Sequence, residues 1–177
     1  MRTLIALFLL LPACAAQRPQ STPLVDAVRD GDAAAVRALL ARGADPDAAA
    51  GENGWTPLLH AVHEHRTEAV ATLLDGGAGV DRGSSSGMTP LMMAAGYGYD
   101  DLVALLLRRG ANAERRDCDG DAAVDYALIG MMDVDRMTFF GCQTATAARL
   151  SGVTPNTLSS RWARMKGCDA PSQSARS

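Results

Sequence analysis

A short sequence pattern occurs three times along this chain at nearly constant spacing. A Thr-Pro-Leu triplet begins at Thr22, Thr56 and Thr89, so successive copies are 34 and 33 residues apart. After each threonine, alanine, valine, leucine and glycine follow at the same offsets of 5, 14, 17 and 21 residues. A regular period of about 20–50 residues indicates stacked repeats in which each unit packs on the next. We therefore expect a solenoid.

Each unit has the features of two short helices. Thr-Pro favours a helix start, because the threonine oxygen can accept a free backbone N–H and proline lacks a donor where none is needed. Valine and leucine form one face of a second helix, which we expect to end at Gly43, Gly77 or Gly110 in the left-handed conformation. Neither helix can bury its apolar face alone, so about three or more stacked units are required.

The one-residue difference between the two periods can be located from the sequence. Each threonine-to-glycine step is 21 residues, but the step from glycine to the next threonine is 13 after Gly43 and 12 after Gly77. The extra residue therefore lies between Ala44 and Trp55. This segment connects two units, and exposed connections tolerate insertions better than packed helices do.

The segments GWTPLLHAV, GMTPLMMAAGYG and LLLRRGANAE closely resemble the ankyrin repeat, and the resemblance extends over about Ser21 to Phe140. It implies an all-α repeat solenoid of stacked helix pairs with short β-hairpin fingers. It also implies a concave surface, formed by the fingers and first helices, that binds another protein. A fourth unit keeps the spacing at Gly120, but Arg136 and Gln143 replace its valine and glycine. Terminal repeats are often atypical, so we interpret it as a capping unit.

The first 16 residues have the features of a secretory signal. Arg2 precedes the apolar run from Leu4 to Leu11, and small residues follow. The run is too short to cross a bilayer core of about 30 Å as a helix. Leu11–Cys14 resembles a bacterial lipobox with Cys14 as the lipidated residue, whereas ordinary cleavage after Ala15 or Ala16 is the alternative. Both routes predict an exported protein, in the periplasm or lipid-anchored at the membrane.

The remaining chain divides into a tether (17–20), the repeats (21–143), a C-terminal capping helix region (144–168) and a disordered tail (169–177). Within the capping region, 156–166 has the spacing of an amphipathic helix. Export permits disulfides, and signal removal leaves Cys118, Cys142 and Cys168, so one internal bridge at most can form. We expect Cys142–Cys168, which would fix the C-terminal segment; three free thiols are the alternative.

The segment GWTPLLHAVHEHR contains all three histidines. The repeat register places His60 inward, His63 on the concave face and His65 at a helix end where other units have glycine. At 100° per residue, His65 lies about 140° from His60 and about 200° from His63, so the three rings do not converge. The spacing also differs from that of zinc hydrolases. We therefore favour a scaffold and retain a metal site of His60, His63 and Glu64 as the alternative.

Composition and motifs narrow the function further. A net charge of −3 without a long basic run argues against nucleic-acid binding. The serines at 84–86 have no partnered base, and no glycine-rich loop follows a strand. We therefore predict a non-enzymatic protein without a cofactor. We also expect it to be a monomer.

The resemblance assigns protein binding to finger and inner-helix positions. Trp55 and Tyr97 are the expected anchors, because large rings dominate interface energetics; alternatively, Trp55 only packs on a neighbouring finger. Unmatched acids in the set predict a mildly acidic face and a partner with a basic patch. The predicted positions are Glu52, Asn53, Trp55, His63, Glu64, Ser85, Ser86, Met88, Gly96, Tyr97, Cys118, Asp119 and Asp121.

Three functional hypotheses follow from these observations. The first is a scaffold in the bacterial cell envelope that binds another protein through its concave face. The second is an immunity or inhibitor protein that uses the same face to occlude a toxin or enzyme. The third, from another class, is a metal-binding protein that uses the histidine cluster.

Overall fold

The computed structural model describes residues 21–130, 132–133, 138–139 and 144–150 of the 177-residue chain. The predicted signal and tether with Cys14, the pair Cys142 and Cys168, and the helix at 156–166 lie outside the described residues. So do Arg136 and Gln143, on which the capping interpretation of the fourth unit partly depends.

Helices dominate the described chain, as the repeat pattern predicts. Three complete helix pairs are followed by a single helix, a very short hairpin and a last helix. The elements are α1 (Pro23–Asp30), α2 (Ala33–Ala41), α3 (Pro57–His63), α4 (Thr67–Asp75), α5 (Pro90–Tyr97), α6 (Asp100–Arg108), α7 (Ala123–Ile129), β1 (Met132–Asp133), β2 (Thr138–Phe139) and α8 (Thr144–Arg149).

The helices form two layers. The first helices of the units, α1, α3, α5 and α7, stack in sequence order, and the second helices α2, α4 and α6 stack beside them. Helix α8 packs against α7 and α6 and so extends both layers. Each unit buries its apolar face against the next one, and the prediction of an all-α repeat solenoid is confirmed.

The Thr-Pro pairs begin the first helices in the predicted way. The hydroxyl oxygens of Thr22, Thr56 and Thr89 each accept the backbone N–H three residues on, at 3.2 Å. The proline after each threonine occupies the first helical turn, where its missing N–H costs no bond. Thr56 and Thr89 are buried, so their oxygens satisfy donors that water does not reach.

Left-handed residues end the helices at the predicted glycines. Gly43, Gly77 and Gly110 follow the second helices with φ of 88°, 92° and 88°. The turn after the first helix uses Gly31 (φ 74°) in unit 1 and Gly98 (φ 73°) in unit 3, and His65 (φ 53°) takes this position in unit 2. Among the described residues, His65 is the one non-glycine with positive φ. Its prediction as a helix-end residue is confirmed.

Three hairpin-like fingers join the units. Their closing backbone bonds run from the N–H of residue 50 to the carbonyl of 55 (2.9 Å), from 84 to 88 (3.0 Å) and from 117 to 121 (3.1 Å). We call residues 50–55, 84–88 and 117–121 the first, second and third finger. The first encloses four residues and the others three, which places the extra residue of the longer period at the tip of the first finger. Only Ala50 and Trp55 pair as a β-bridge in the described fingers.

Aspartates before the fingers also tie neighbouring units together. Oδ1 of Asp47 accepts the backbone N–H of Gly79 at 3.0 Å, and the Asp81 carboxylate accepts that of Asn112 at 3.1 Å. Asp47 and Asp81 occupy the same position in successive units, 25 residues after Thr22 and Thr56. These bonds fix the spacing of the connections from which the fingers project.

One contiguous core runs through the stack. Leucine, valine, alanine and methionine from both helix layers fill it, and Leu58, Leu73, Leu91 and Leu106 are fully buried. Met92 and Met93 also lie in this core. Sδ of Met92 accepts the Thr89 backbone N–H at 3.2 Å, so the side chain contributes to the helix cap as well as to packing.

The fourth unit departs from the other three. Ala122 stands where they have the capping threonine, and the buried carboxylate of Asp125 instead accepts the Ala122 N–H at 2.8 Å. After α7, the two-residue strands β1 and β2 pair antiparallel, which the sequence did not predict because such short strands leave no detectable alternation. Helix α8 is held on the stack by Thr146, whose hydroxyl donates to Asp100 at 2.7 Å.

No helix among the described residues is long and apolar enough to cross a membrane; the longest contain nine residues.

Candidate protein-interaction surface

The three fingertips are linked directly to one another. The backbone N–H of Ser85 donates to the carbonyl of Asn53 at 3.0 Å, and the N–H of Cys118 donates to the carbonyl of Ser86 at 3.0 Å. Main-chain bonds therefore run from the first finger through the second to the third. Such bonds restrict independent movement of the tips, so the fingers form one continuous edge, which we call the finger rim.

The structure brings most of the predicted binding residues to this rim and to the helix ends beside it. The tip residues are exposed, and the residues that close the fingers or end the first helices are half-buried. The exposed positions are Glu52, Asn53, Ser85, Ser86, Cys118 and Asp119, and the half-buried ones are Trp55, His63, Glu64, Met88 and Asp121.

Aromatic side chains form a continuous contact chain behind the first finger. Neighbouring ring centroids lie 5.3, 5.2, 5.7, 5.3 and 4.0 Å apart, and the shortest distance belongs to the stacked pair of Tyr99 and His65. The chain connects unit 2 to unit 3 and includes all three histidines. We call it the ring ladder; its members in order are His60, Trp55, His63, Tyr97, Tyr99 and His65.

Tyr97 lies deeper than its predicted role as an exposed anchor requires. Only 5% of the residue is accessible, and its hydroxyl shares a 2.9 Å hydrogen bond with Nδ1 of His63. Gly96 beside it is also buried. Tyr97 therefore supports the surface from below and has little area left for a partner. Trp55 packs on His60 and His63 and stays half-buried, which leaves part of its ring accessible.

The far end of the ring ladder joins the outer helix of unit 3. The His65 ring stacks on Tyr99 with an interplanar angle of 4°, and its Nε2 donates to Oδ1 of Asp101 at 2.9 Å. Oδ2 of Asp101 accepts the Thr67 hydroxyl at 3.0 Å. Burial opposes ionisation of Asp101, but the hydrogen bonds from His65 and Thr67 outweigh it and lower the pKa of the carboxyl. His65 is thus an inter-unit contact.

His60 is a buried, uncharged histidine. It is 7% exposed, and burial, followed by electrostatic repulsion from Arg29 and His63, lowers its pKa from 6.5 to about 4. Its inward position is as predicted. Within the described residues, no group of three or more histidine, cysteine, aspartate or glutamate side chains has the arrangement of a metal site. His63 and Glu64 approach each other only to 3.9 Å between Nε2 and Oε1.

The third finger contains an aspartate that acts within the fold. Oδ1 of Asp117 accepts the backbone N–H groups of Asp119 and Asp121 at 3.0 and 2.9 Å, and Oδ2 accepts the hydroxyl of Tyr126. Burial and this carboxylate raise the pKa of Tyr126 above its usual value. Nη1 of Arg116 donates to the carbonyl of Gly120 at 2.8 Å. A basic residue therefore lies beside the acids that the sequence presented as unmatched.

A shallow polar cleft of about 310 Å³ lies between the first two fingers and is separate from the ring ladder. Arg82 and Arg115 border it, so positive charge flanks the rim while Glu52 and Asp119 extend from its tips. The lining residues are Ala49, Gly54, Thr56, Asp81, Arg82, Gly83, Ser84, Ser85, Gly87 and Arg115.

The family comparison agrees with this architecture. A family model described as ankyrin repeats (3 copies) matches residues 4–83 and 24–117, which together cover more than half of the chain. The chain belongs to the ankyrin-repeat family, whose members generally mediate protein–protein interaction as non-enzymatic scaffolds. A search of the curated proteins found no match.

Sequence reasoning missed three groups of residues that shape this surface. Asp47 and Asp81 share a repeat position, so their periodicity was a detectable signal. Tyr99 was missed because ring contacts between units depend on side-chain direction. Asp117 was also missed, because it acts through bonds within a single turn that no repeat pattern reveals.

Proposed function

We propose that the chain is a non-enzymatic scaffold that binds a partner protein through the finger rim and the adjoining ends of the first helices. The observation that carries this proposal is the direct bonding of the three fingertips, Asn53 to Ser85 and Ser86 to Cys118. Because the tips are already fixed, a partner that binds their exposed polar groups does not have to order flexible loops, and less conformational entropy is lost on binding. The ring ladder supports one end of it and orients Trp55 as the aromatic contact.

The charge of the rim favours a partner with a basic patch. Glu52 and Asp119 are exposed at two different tips, and Glu64 is half-buried beside His63. Arg82 and Arg115 lie to the side of the tips, next to the cleft, and Arg116 lies beside the third finger, so the acidic character is confined to the tips. Complementary charge increases association rate and specificity, and salt weakens it. Binding that is indifferent to high salt would contradict this part of the proposal.

Photo-crosslinking tests the surface directly. A photoreactive residue is placed at Ser85 on the rim, and a matched chain carries it at Arg37, which is exposed on the outer helix α2. The proposal predicts a discrete heavier species from position 85 and none from position 37, and mass spectrometry identifies the partner. Equal crosslinking from both positions, or from neither, would contradict it. A captured toxin or enzyme would then be assayed for inhibition, which tests the immunity or inhibitor hypothesis.

We also propose that the scaffold acts in the bacterial cell envelope. The support is the signal-like composition of residues 1–16. Intact mass of the mature chain separates the two processing routes. Lipidation predicts a chain that begins at Cys14 with an added acyl-glyceryl group, which Cys14→Ser removes; ordinary cleavage predicts an unmodified chain that begins at Ala16 or Gln17. An uncleaved N-terminus would contradict both routes.

A further inference from the structure

The tip of the first finger combines two features that favour a chemical change of the main chain. It carries the extra residue of the repeat, and it contains the dipeptide Asn53-Gly54. Gly51 and Gly54 both have left-handed backbone, with φ of 71° and 62°. Exposed loop tips rich in small residues deform more readily than packed segments. The first finger therefore has the largest turn of the three, with Asn53 at its tip.

The side chain that would react is accessible at this tip, although Gly54 itself is buried. Asn53 is exposed, and within the described part of the chain its side-chain amide makes no hydrogen bond. The following residue has no side chain to shield its nitrogen. The Gly54 N–H donates to the carbonyl of Gly51 at 3.3 Å, which is longer than a typical N–H···O bond. The nitrogen is thus weakly held and close in sequence to the amide carbon.

We propose that Asn53 is a site of spontaneous deamidation. The main-chain nitrogen of Gly54 bonds to Cγ of Asn53, the bond from Cγ to the side-chain nitrogen breaks, and ammonia leaves with the proton that Gly54 loses. Water then adds to either carbonyl of the resulting succinimide. Opening one way gives aspartate, and opening the other way gives isoaspartate, in which the main chain runs through Cγ.

Both products would alter the finger rim. Aspartate adds a negative charge beside the exposed Glu52. Isoaspartate adds a methylene to the main chain and displaces the carbonyl of residue 53, which accepts the Ser85 N–H at 3.0 Å. The modification would therefore change the charge of the rim or weaken the bond between two fingertips. Its effect on a partner rests on the proposed function, whereas the chemistry does not.

Peptide mapping of the aged protein tests the chemistry without a partner. The folded chain is incubated at mildly alkaline pH and digested with trypsin, which releases residues 43–66 with Asn53 and residues 110–115 with Asn112. We expect the first peptide to gain one mass unit with time and to split into aspartate and isoaspartate forms. The second peptide, in which alanine follows asparagine, should keep its mass.

Two further samples fix the interpretation. Asn53→Gln, which must form a less favourable six-membered ring, should leave residues 43–66 unchanged in mass over the same time. A chain unfolded in urea shows how fast Asn53 deamidates when only the local sequence, and not the fold, affects the rate. If the unfolded chain reacts and the folded chain does not, or if both asparagines react equally in the folded chain, the proposal is wrong. Faster hydrogen exchange at Ser85 in the isoaspartate fraction is expected; unchanged exchange there would overturn the predicted effect on the rim.

Discussion

The Tyr97 hydroxyl and Nδ1 of His63 lie 2.9 Å apart, so a buried tyrosine of unit 3 is hydrogen-bonded to the helix end of unit 2. Each ring also contacts a further ring, Tyr99 on one side and Trp55 on the other. The bond joins two stacked units directly behind the finger rim. It therefore connects the stability of the stack with the position of Trp55.

Removal of the Tyr97 hydroxyl should destabilise the stack modestly. We expect Tyr97→Phe to lower the free energy of unfolding by about 1 kcal/mol, because His63 loses a partly buried partner. Chemical denaturation measures this change. In a His63→Ala background the same substitution should cost clearly less, since coupled neighbours are not additive. Equal cost in both backgrounds would show that the bond does not contribute.

Stability should decrease in mild acid because of His60. Its pKa is lowered from 6.5 to about 4 in the folded chain, so between these values the unfolded chain binds a proton that the folded chain does not. The free energy of unfolding therefore falls as pH falls from about 6.5 towards 4, with a loss of roughly 2 kcal/mol by about pH 5. Denaturation of the chain and of His60→Gln across this range tests it. The free energy of unfolding of His60→Gln should depend less on pH than that of the parent. An equal pH dependence in the two chains would show that His60 is not the cause.

The buried carboxylate of Asp125 should be essential to the fourth unit. Asp125→Ala leaves the Ala122 N–H without its acceptor, and an unsatisfied buried donor costs about 1–3 kcal/mol. Thermal or chemical denaturation measures the loss. Asp119→Ala, at an exposed tip of the third finger, is the matched control and should stay within about 0.5 kcal/mol of the parent. Similar losses in both variants would argue against a capping role for Asp125.

The Thr-Pro caps should contribute through the threonine oxygen. Thr89→Ala removes the acceptor for the Met92 N–H and should cost about 0.5–2 kcal/mol. Thr89→Ser keeps the oxygen and loses only a buried methyl group, so it should cost less than alanine. Denaturation of the two variants separates capping from packing. If serine is as destabilising as alanine, the hydroxyl is not the stabilising group.

The repeat register predicted positions better than contacts. It placed His60 inward and His65 at a helix end where other units have glycine, because stacking imposes the same environment on equivalent residues of each unit. It presented Tyr97 as an exposed anchor, although the residue is buried. The direction of a ring depends on its neighbours in the adjoining units, and here the Tyr97 hydroxyl is hydrogen-bonded to His63 of the preceding unit.

The fourth unit shows a second limit of reasoning from the repeat. Its divergence from the pattern was visible in the sequence, but its substitute features were not. In the other units, the threonine oxygen accepts the backbone N–H three residues on. In the fourth unit, the Asp125 carboxylate instead accepts the N–H of Ala122, which stands at the threonine position. The pairing of β1 with β2 involves two residues on each side, which is too short for a periodic signal. Local bonds of this kind follow from packing at the end of the stack.

Hydrogen–deuterium exchange tests the central claim most directly, because it reports the contact surface without altering a residue. It is measured on the unmodified chain, alone and bound to the partner that crosslinking identifies. Binding through the finger rim predicts slower exchange at residues 50–55, 84–88 and 117–121, with helices α2, α4 and α6 unchanged. Protection of the outer helices α2, α4 and α6 with unchanged fingers would contradict the proposal and place the interaction on the opposite side of the stack.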